Sequence, residues 1–307
     1  MRLVVPLALL VAAGCIDSEL ESEPNLSEDT QSVVVDNRIA LNRIALNRIA
    51  LNRIALNRIA LNRIALNRLQ ANLSSIGTLL DSPEGREVFS FVVSCALEEG
   101  SVLVVNHPTL GTLNFLGEIG LAPQWERRAM NNSDQRWVSA CLLARVNNND
   151  VTVQVSLRGP DDALDTTASE RSSWRLEEGG FFGDVFQPNG QPLEMYACRG
   201  RDQALGAEVG AMAVRDCTEP DPANPGKTLC GMTFAGDCAD FVAPANAYAC
   251  EERTNGYYVG CTPTASFEDD DHGHGHGHGG HHGRGGGRCG GGNDDQTDEV
   301  ITAYLQP

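Results

Sequence analysis

The chain has 307 residues, 41% of them hydrophobic, with 23 Lys and Arg against 41 Asp and Glu and a formal charge of −18. That length holds one large domain or two small ones, and so acidic a balance argues against a nucleic-acid partner. Seven arginines of one short array contribute +7 and leave −25 for everything else, so regions of opposite sign share the chain.

Met1-Arg2 precedes the apolar run LVVPLALLVAAG, and the small residues Ala12, Ala13 and Gly14 lead into Cys15. A positive start, an apolar core of about a dozen residues and a small-residue break describe an export signal, too short for a permanent membrane helix. The cysteine after the small trio resembles the lipobox of bacterial lipoproteins, with Ala12 where a leucine is usual. The resemblance implies that Cys15 becomes the lipidated mature N-terminus of an envelope protein. Each buried methylene of such a lipid contributes about 0.8 kcal/mol to the membrane anchor. No other stretch approaches ~18 apolar residues, so no transmembrane helix is expected. Residues 16–36 are acidic, Ser-rich and aperiodic until the three valines at 33–35, and read as a solvated tether.

From Asn37 the pentapeptide NRIAL runs through six consecutive copies and decays to NRLQA at Asn67. On an α-helix a five-residue step turns by about 140°, which spirals Ile and Leu round the whole surface and leaves no apolar face. Extended chain suits the unit better. Ile-Ala-Leu then alternates, and Asn-Arg makes a corner, because Asn tolerates left-handed backbone and stacks amide on amide. In period the unit resembles pentapeptide-repeat proteins, which implies a small parallel β-solenoid, although Ile stands two positions before Leu where those proteins place a small residue. The array at 37–70 supplies fewer than two coils, short of the roughly three units that stacked repeats need. The expectation is a short β-solenoid or irregular stalk that docks on the globular domain, pairs with neighbouring copies or stays partly disordered. Its perfection is best explained by recent duplication. Arg38, Arg43, Arg48, Arg53, Arg58, Arg63 and Arg68 make a basic row suited to anionic lipid headgroups, polysaccharide or an acidic protein face.

Residues 71–266 read as one disulfide-stapled α+β domain. Ser82 before Pro83, with Glu84 and Glu87 following, signals a helix that Gly100 stops, with Val88, Phe91, Val92, Cys95 and Ala96 on one face. SVLVV is a short strand, and GTLNFLGEIGLAPQW is irregular or a Gly-rich hairpin. A second helix is signalled by NNSDQRWVSACLLARVNNND, capped by Ser133 or Asn132 with Asp134 favouring the dipole, and the strand VTVQVSLRG follows. From about residue 160 helix signals thin out, and short strands joined by loops and disulfides are expected. Residues 267–295 are a His/Gly-rich linker. The terminal segment 296–307 is either a strand packed back on the domain or a frayed tail.

Nine cysteines follow Cys15: Cys95, Cys141, Cys198, Cys217, Cys230, Cys238, Cys250, Cys261 and Cys289. In an exported chain they are expected to be oxidised, with Cys95 paired to Cys141 between the two helices and Cys289, in Gly-rich sequence, left over. No C-x-x-C occurs, which argues against thioredoxin-like chemistry, c-type haem and the common structural zinc sites. In WVSACLLARVN (137–147), FVVSCAL (91–97), GGFFGDVF (179–186) and YACRG (196–200) the sequence resembles a group of cell-surface lipoproteins of the myxobacterial type, some with arrays of short Asn- and Leu-containing repeats. The resemblance covers roughly residues 80–260. It implies a location in the envelope, as an outer-membrane lipoprotein facing the periplasm or the cell surface, and names no reaction.

Six of the seven histidines, His272, His274, His276, His278, His281 and His282, fall within eleven residues. Imidazole suits zinc, nickel and copper(II), and a flexible chain wraps several rings round one ion. No other motif calls for a cofactor. There is no Ser elbow, Cys/His pair, Ser-x-x-Lys or phosphate-cradling glycine motif. His107, the remaining histidine, sits before Pro108 where a surface or capping role is expected, and Lys227 is the single lysine. The pairs Glu98-Glu99, Asp161-Asp162 and Glu177-Glu178 read as solvated turns, with a carboxylate hydrolase as a distant reading. The leading expectation is a non-enzymatic, envelope-anchored structural or surface-binding protein, and the second a metal-binding lipoprotein.

Overall fold

The computed structural model describes residues 39–42, 77–147, 153–187, 191–207, 209–241, 248–263 and 296–307. The export signal, the tether, all seven array arginines, Cys289 and the clustered histidines lie outside them. The described residues form a mixed α+β domain with one six-stranded sheet, two separate hairpins and four disulfides.

The array is described only at β1 (Ile39–Asn42), an edge strand of the main sheet; the solenoid expectation for the rest lies outside the described residues. After the single turn α1 (Gly77–Leu80), α2 (Pro83–Ala96) starts as its sequence dictates, with Ser82 Oγ accepting the Gly85 N–H at 2.9 Å and Pro83 in the first turn. Its burial extends beyond one face: Val88, Phe89, Phe91, Val92, Val93, Cys95 and Ala96 are all inside. The helix ends at Ala96, ahead of Gly100. The carbonyls of Ser94, Cys95 and Ala96, orphaned as at any helix C-terminus, accept the N–H groups of Ile119, Leu121 and Ala122 at 2.9, 3.0 and 2.9 Å. The Gly-rich stretch expected to be irregular or a hairpin is a hairpin in its first part, where β3 (Gly111–Leu116) pairs with β2 (Val102–His107), and the residues after it cap α2.

α3 (Asn132–Ala144) is capped by Asn131, ahead of the expected Ser133 or Asn132. The reason is reciprocity. Asn131 Oδ1 accepts the Asp134 N–H at 2.8 Å while the Asp134 carboxylate accepts the Asn131 N–H at 2.9 Å, and that box needs an acid three residues after the cap. Cys95 and Cys141 join α2 to α3 as expected, closing a loop of 46 residues.

The sheet runs β1, β4 (Val153–Arg158), β10 (Ile301–Leu305), β5 (Leu176–Asp184), β6 (Glu194–Arg199), β7 (Thr233–Asp237), antiparallel except between β6 and β7. The terminal segment is thus a central strand, and all five residues of β10 are buried, as in a strand covered on both faces, with the Thr302 and Tyr304 hydroxyls hydrogen-bonded inside. Short helices α4 (Ala168–Ser173), α5 (Arg201–Ala204) and α6 (Met212–Arg215) fill the connections. β8 (Cys250–Thr254) and β9 (Tyr257–Cys261) form the second hairpin, turned at Asn255 and Gly256 with φ of 50° and 82°. Both positive values suit the two-residue hairpin turn that matches strand twist.

β5 approaches β6 so closely that a Cβ on Gly179 would lie 2.1 Å from the Cys198 carbonyl oxygen, which only glycine permits. Two apolar clusters result. The larger gathers α2, α3, the β2–β3 hairpin and one side of the sheet; the smaller holds Phe182, Cys198, Ala235, Cys238, Ala249, Cys250, Tyr258, Cys261 and Val300.

Candidate functional site

The densest polar chemistry among the described residues lies on β5. Glu177 and Glu178, expected in a solvated turn, are fully buried. A strand sends successive side chains to opposite faces, and both faces of β5 are covered, so each glutamate enters a different interior.

Glu177 accepts five hydrogen bonds. Oε1 takes the Arg201 backbone N–H at 3.0 Å and the Tyr258 hydroxyl; Oε2 takes the Tyr304 hydroxyl at 2.6 Å and Arg253 Nε and Nη2 at 3.1 and 2.5 Å. Burial alone would raise this carboxyl, but Arg253, the two tyrosines and the Arg201 amide outweigh it and hold it below the usual carboxylate range. Burial, then the Glu177 charge, pushes both tyrosine hydroxyls up. Three strands and a helix start, β8, β9, β10 and α5, are tied to one carboxylate.

On the other face Glu178 pairs with Arg215, and neither side chain reaches solvent. Arg215 Nη2 also donates to the Ala144 carbonyl at 2.5 Å and Nε to the Val146 carbonyl just beyond α3 at 3.4 Å, which sets a cation at the C-terminus of α3, the favourable end of its dipole. Burial pushes the guanidinium down from its ordinary value. Glu178 Oε1 takes the Cys217 N–H at 3.0 Å. A third buried carboxylate, Glu170, accepts the Ser156 hydroxyl at 2.7 Å, and burial raises it against that bond. Its Oε2 has no hydrogen-bond partner.

His107 caps a turn, as its position before Pro108 suggested. Nδ1 faces the Thr109 and Leu110 amides, both at 3.3 Å; amides only donate, so the ring proton sits on Nε2 and is given to Asp81 at 3.1 Å. With Nδ1 so engaged the ring has no free nitrogen for general-base work. The other two acidic pairs do meet: Glu98, Glu99, Asp161 and Asp162 line an open cleft of about 450 Å³ with Ile119, Gly120 and Ala163. The Asp161 carboxylate there caps a turn through the Ala163 N–H at 2.8 Å.

The eight cysteines named as candidates are all paired: Cys95–Cys141, Cys198–Cys238, Cys217–Cys230 and Cys250–Cys261. Two of these bridges touch, with Cys198 Sγ 3.7 Å from Cys250 Sγ, and the sulfurs of Cys198, Cys250 and Cys261 lie within 4.8 Å of one another. Metals are held by thiolates, so with each sulfur in a bridge this is a packing contact. The bridges fit an oxidising, exported setting, and no described helix is long and apolar enough to cross a membrane.

No protein-family model matches the chain, and no curated protein or solved structure matches it either.

Proposed function

We propose that this is an exported, envelope-anchored binding protein, tethered through lipid on Cys15, in which the disulfide-stapled domain is a rigid body and the arginines of the array meet an anionic polymer. One observation carries the reading: Glu177, Glu178 and His107 are consumed in holding the domain together. Glu177 is saturated by five donors, Glu178 by Arg215 and the Cys217 amide, and His107 by a turn. A catalytic acid or base needs reach to a substrate proton, and these groups have given theirs to the scaffold. Charge supplies the complement, since the array is the concentrated positive region of a chain whose remainder carries −25. The test is retention of the full-length protein on immobilised alginate, an anionic polysaccharide, against neutral dextran. Retention on alginate alone, lost when the seven arginines become glutamine, is expected; equal retention of both proteins sinks the reading.

A second reading rests on the six histidines at 272–282. Neutral imidazoles at that density would take zinc or nickel and release it below pH ~6, as the rings protonate. Calorimetry of the intact protein and of one lacking 272–282 separates the two: equal heats would end the metal reading without touching the first.

A further inference from the structure

β1 carries Ile39-Ala40-Leu41-Asn42 and lies antiparallel along β4, from Ile39 opposite Ser156 to Asn42 opposite Val153. The same tetrapeptide recurs at 44–47, 49–52, 54–57, 59–62 and 64–67. We propose that the outer edge of β4 is a docking slot for any one of these six segments of the same chain. The array is then a ladder of interchangeable strands that sets, in five-residue steps, how much chain separates the domain from whatever precedes it.

The argument is one of degeneracy. A one-residue slip of a strand throws every side chain to the wrong face. A five-residue exchange within this array instead restores Ile opposite Ser156, Ala opposite Val155, Leu opposite Gln154 and Asn opposite Val153. Every cross-strand pair and every backbone bond is reproduced. Only the connection to α1 changes, from 34 residues between Asn42 and Gly77 with the first copy to 9 after Asn67 with the sixth. Loop closure depends on the logarithm of length, so this nearly fourfold change in connection length shifts the balance between the first and sixth copies by less than about tenfold. A copy in the slot pairs the N–H and C=O groups that β4 would otherwise present as the bare edge of the sheet. A copy on the same chain has an effective concentration in the millimolar range, which favours it over a copy from a neighbour. Moving from Ile39 to Ile64 transfers 25 residues from one side of the domain to the other. The proposal holds whether or not the arginines bind anything.

Hydrogen–deuterium exchange of the full-length protein tests it, read at the β4 amides that face β1. Successive N–H groups of a strand point to opposite edges, so prolines at two adjacent positions are bound to break the ladder. The first variant carries Ala40→Pro and Leu41→Pro; the second carries the equivalent pair in all six copies. The first variant should keep its β4 protection within ~2-fold of wild type, while the second exchanges at least ~10-fold faster there. Amides of β5 and β6 report whether the second variant remains folded; if it does not, the first variant against wild type decides alone. A first variant that loses β4 protection would show that only the first copy fits, and a folded second variant with full protection would show that the array does not fill the slot. Sedimentation of the first variant as a dimer would replace the same-chain occupant with a neighbour's strand and overturn the proposal.

Discussion

Around α2 and α3 the interior is mainly apolar, with Phe89, Val92, Val138, Leu142 and Leu143 fully buried, one disulfide between the helices and one buried cation, Arg145, held by Ser94 and Glu118. Around β5 to β9 the interior holds three disulfides, two aromatic hydroxyls and two buried glutamates with their arginines. The difference follows from local composition. Where the chain alternates apolar residues at helical spacing, burial of surface at about 25 cal/mol per Å² is enough. Where it is rich in Gly, Asp and Cys, directional bonds and covalent loops replace it. The first region should therefore owe more of its stability to packed volume, and the second more to its buried charges and covalent loops.

The most damaging single change should be Arg215→Ala. It strands Glu178 in the interior, for which a loss of about 3–5 kcal/mol is expected, and it uncaps α3 as well. Urea denaturation gives the number, and Glu178→Met/Arg215→Met should recover most of it, because a well-packed apolar pair often matches a buried ion pair. Leu142→Ala strikes the other region and should lose about 2–5 kcal/mol through its cavity. A Leu142 variant as stable as wild type would break the contrast.

Next come the bridges. Loop-closure entropy gives about 4 kcal/mol for Cys95–Cys141 and about 3 for Cys250–Cys261, from loops of 46 and 11 residues. Paired Cys→Ala variants compared by melting temperature check the order, and a larger loss at the shorter loop would mean that strain or packing, rather than chain entropy, governs these bridges.

Much of the first region was legible. Ser82-Pro83, the start of α3 to within a residue or two of its Asn131 cap and the strand after it are local signals, and Cys95 with Cys141 followed from placing one cysteine on each of two adjacent helices. The site on β5 was not. Glu177-Glu178 beside Gly179-Gly180 reads as a turn, and burial of both becomes visible only once β10, from the far end of the sequence, is known to lie beside β5. One missed signal was available: Asn255-Gly256 between two short runs marks the β8–β9 hairpin. The reach of Arg253 and Tyr258 to Glu177 spans more than 75 positions, and no local pattern carries that.

Smaller effects concern pH. Glu177 is held below its ordinary value near 4.5, so its contribution is complete above that value and is lost as pH falls through the folded-state value. Glu170 is raised, so it favours folding below 4.5 and opposes it as pH rises through its folded-state value. At neutral pH Glu170→Gln should therefore be neutral or slightly stabilising, and Glu177→Gln destabilising. Urea midpoints at pH 4 and pH 7 give both signs, and a destabilising Glu170→Gln at pH 7 would show that its charge is needed.

The central claim is that the domain is a scaffold and the arginine row is the part that meets a partner. The most direct measurement is the affinity of the full-length protein for alginate between ~0.01 M and ~0.15 M salt, where exposed charges become screened, beside the protein with all seven arginines changed to glutamine. The account predicts binding that weakens steeply with salt and is absent from the variant, with unchanged melting of the domain. Binding of equal strength and equal salt dependence in both proteins would contradict it.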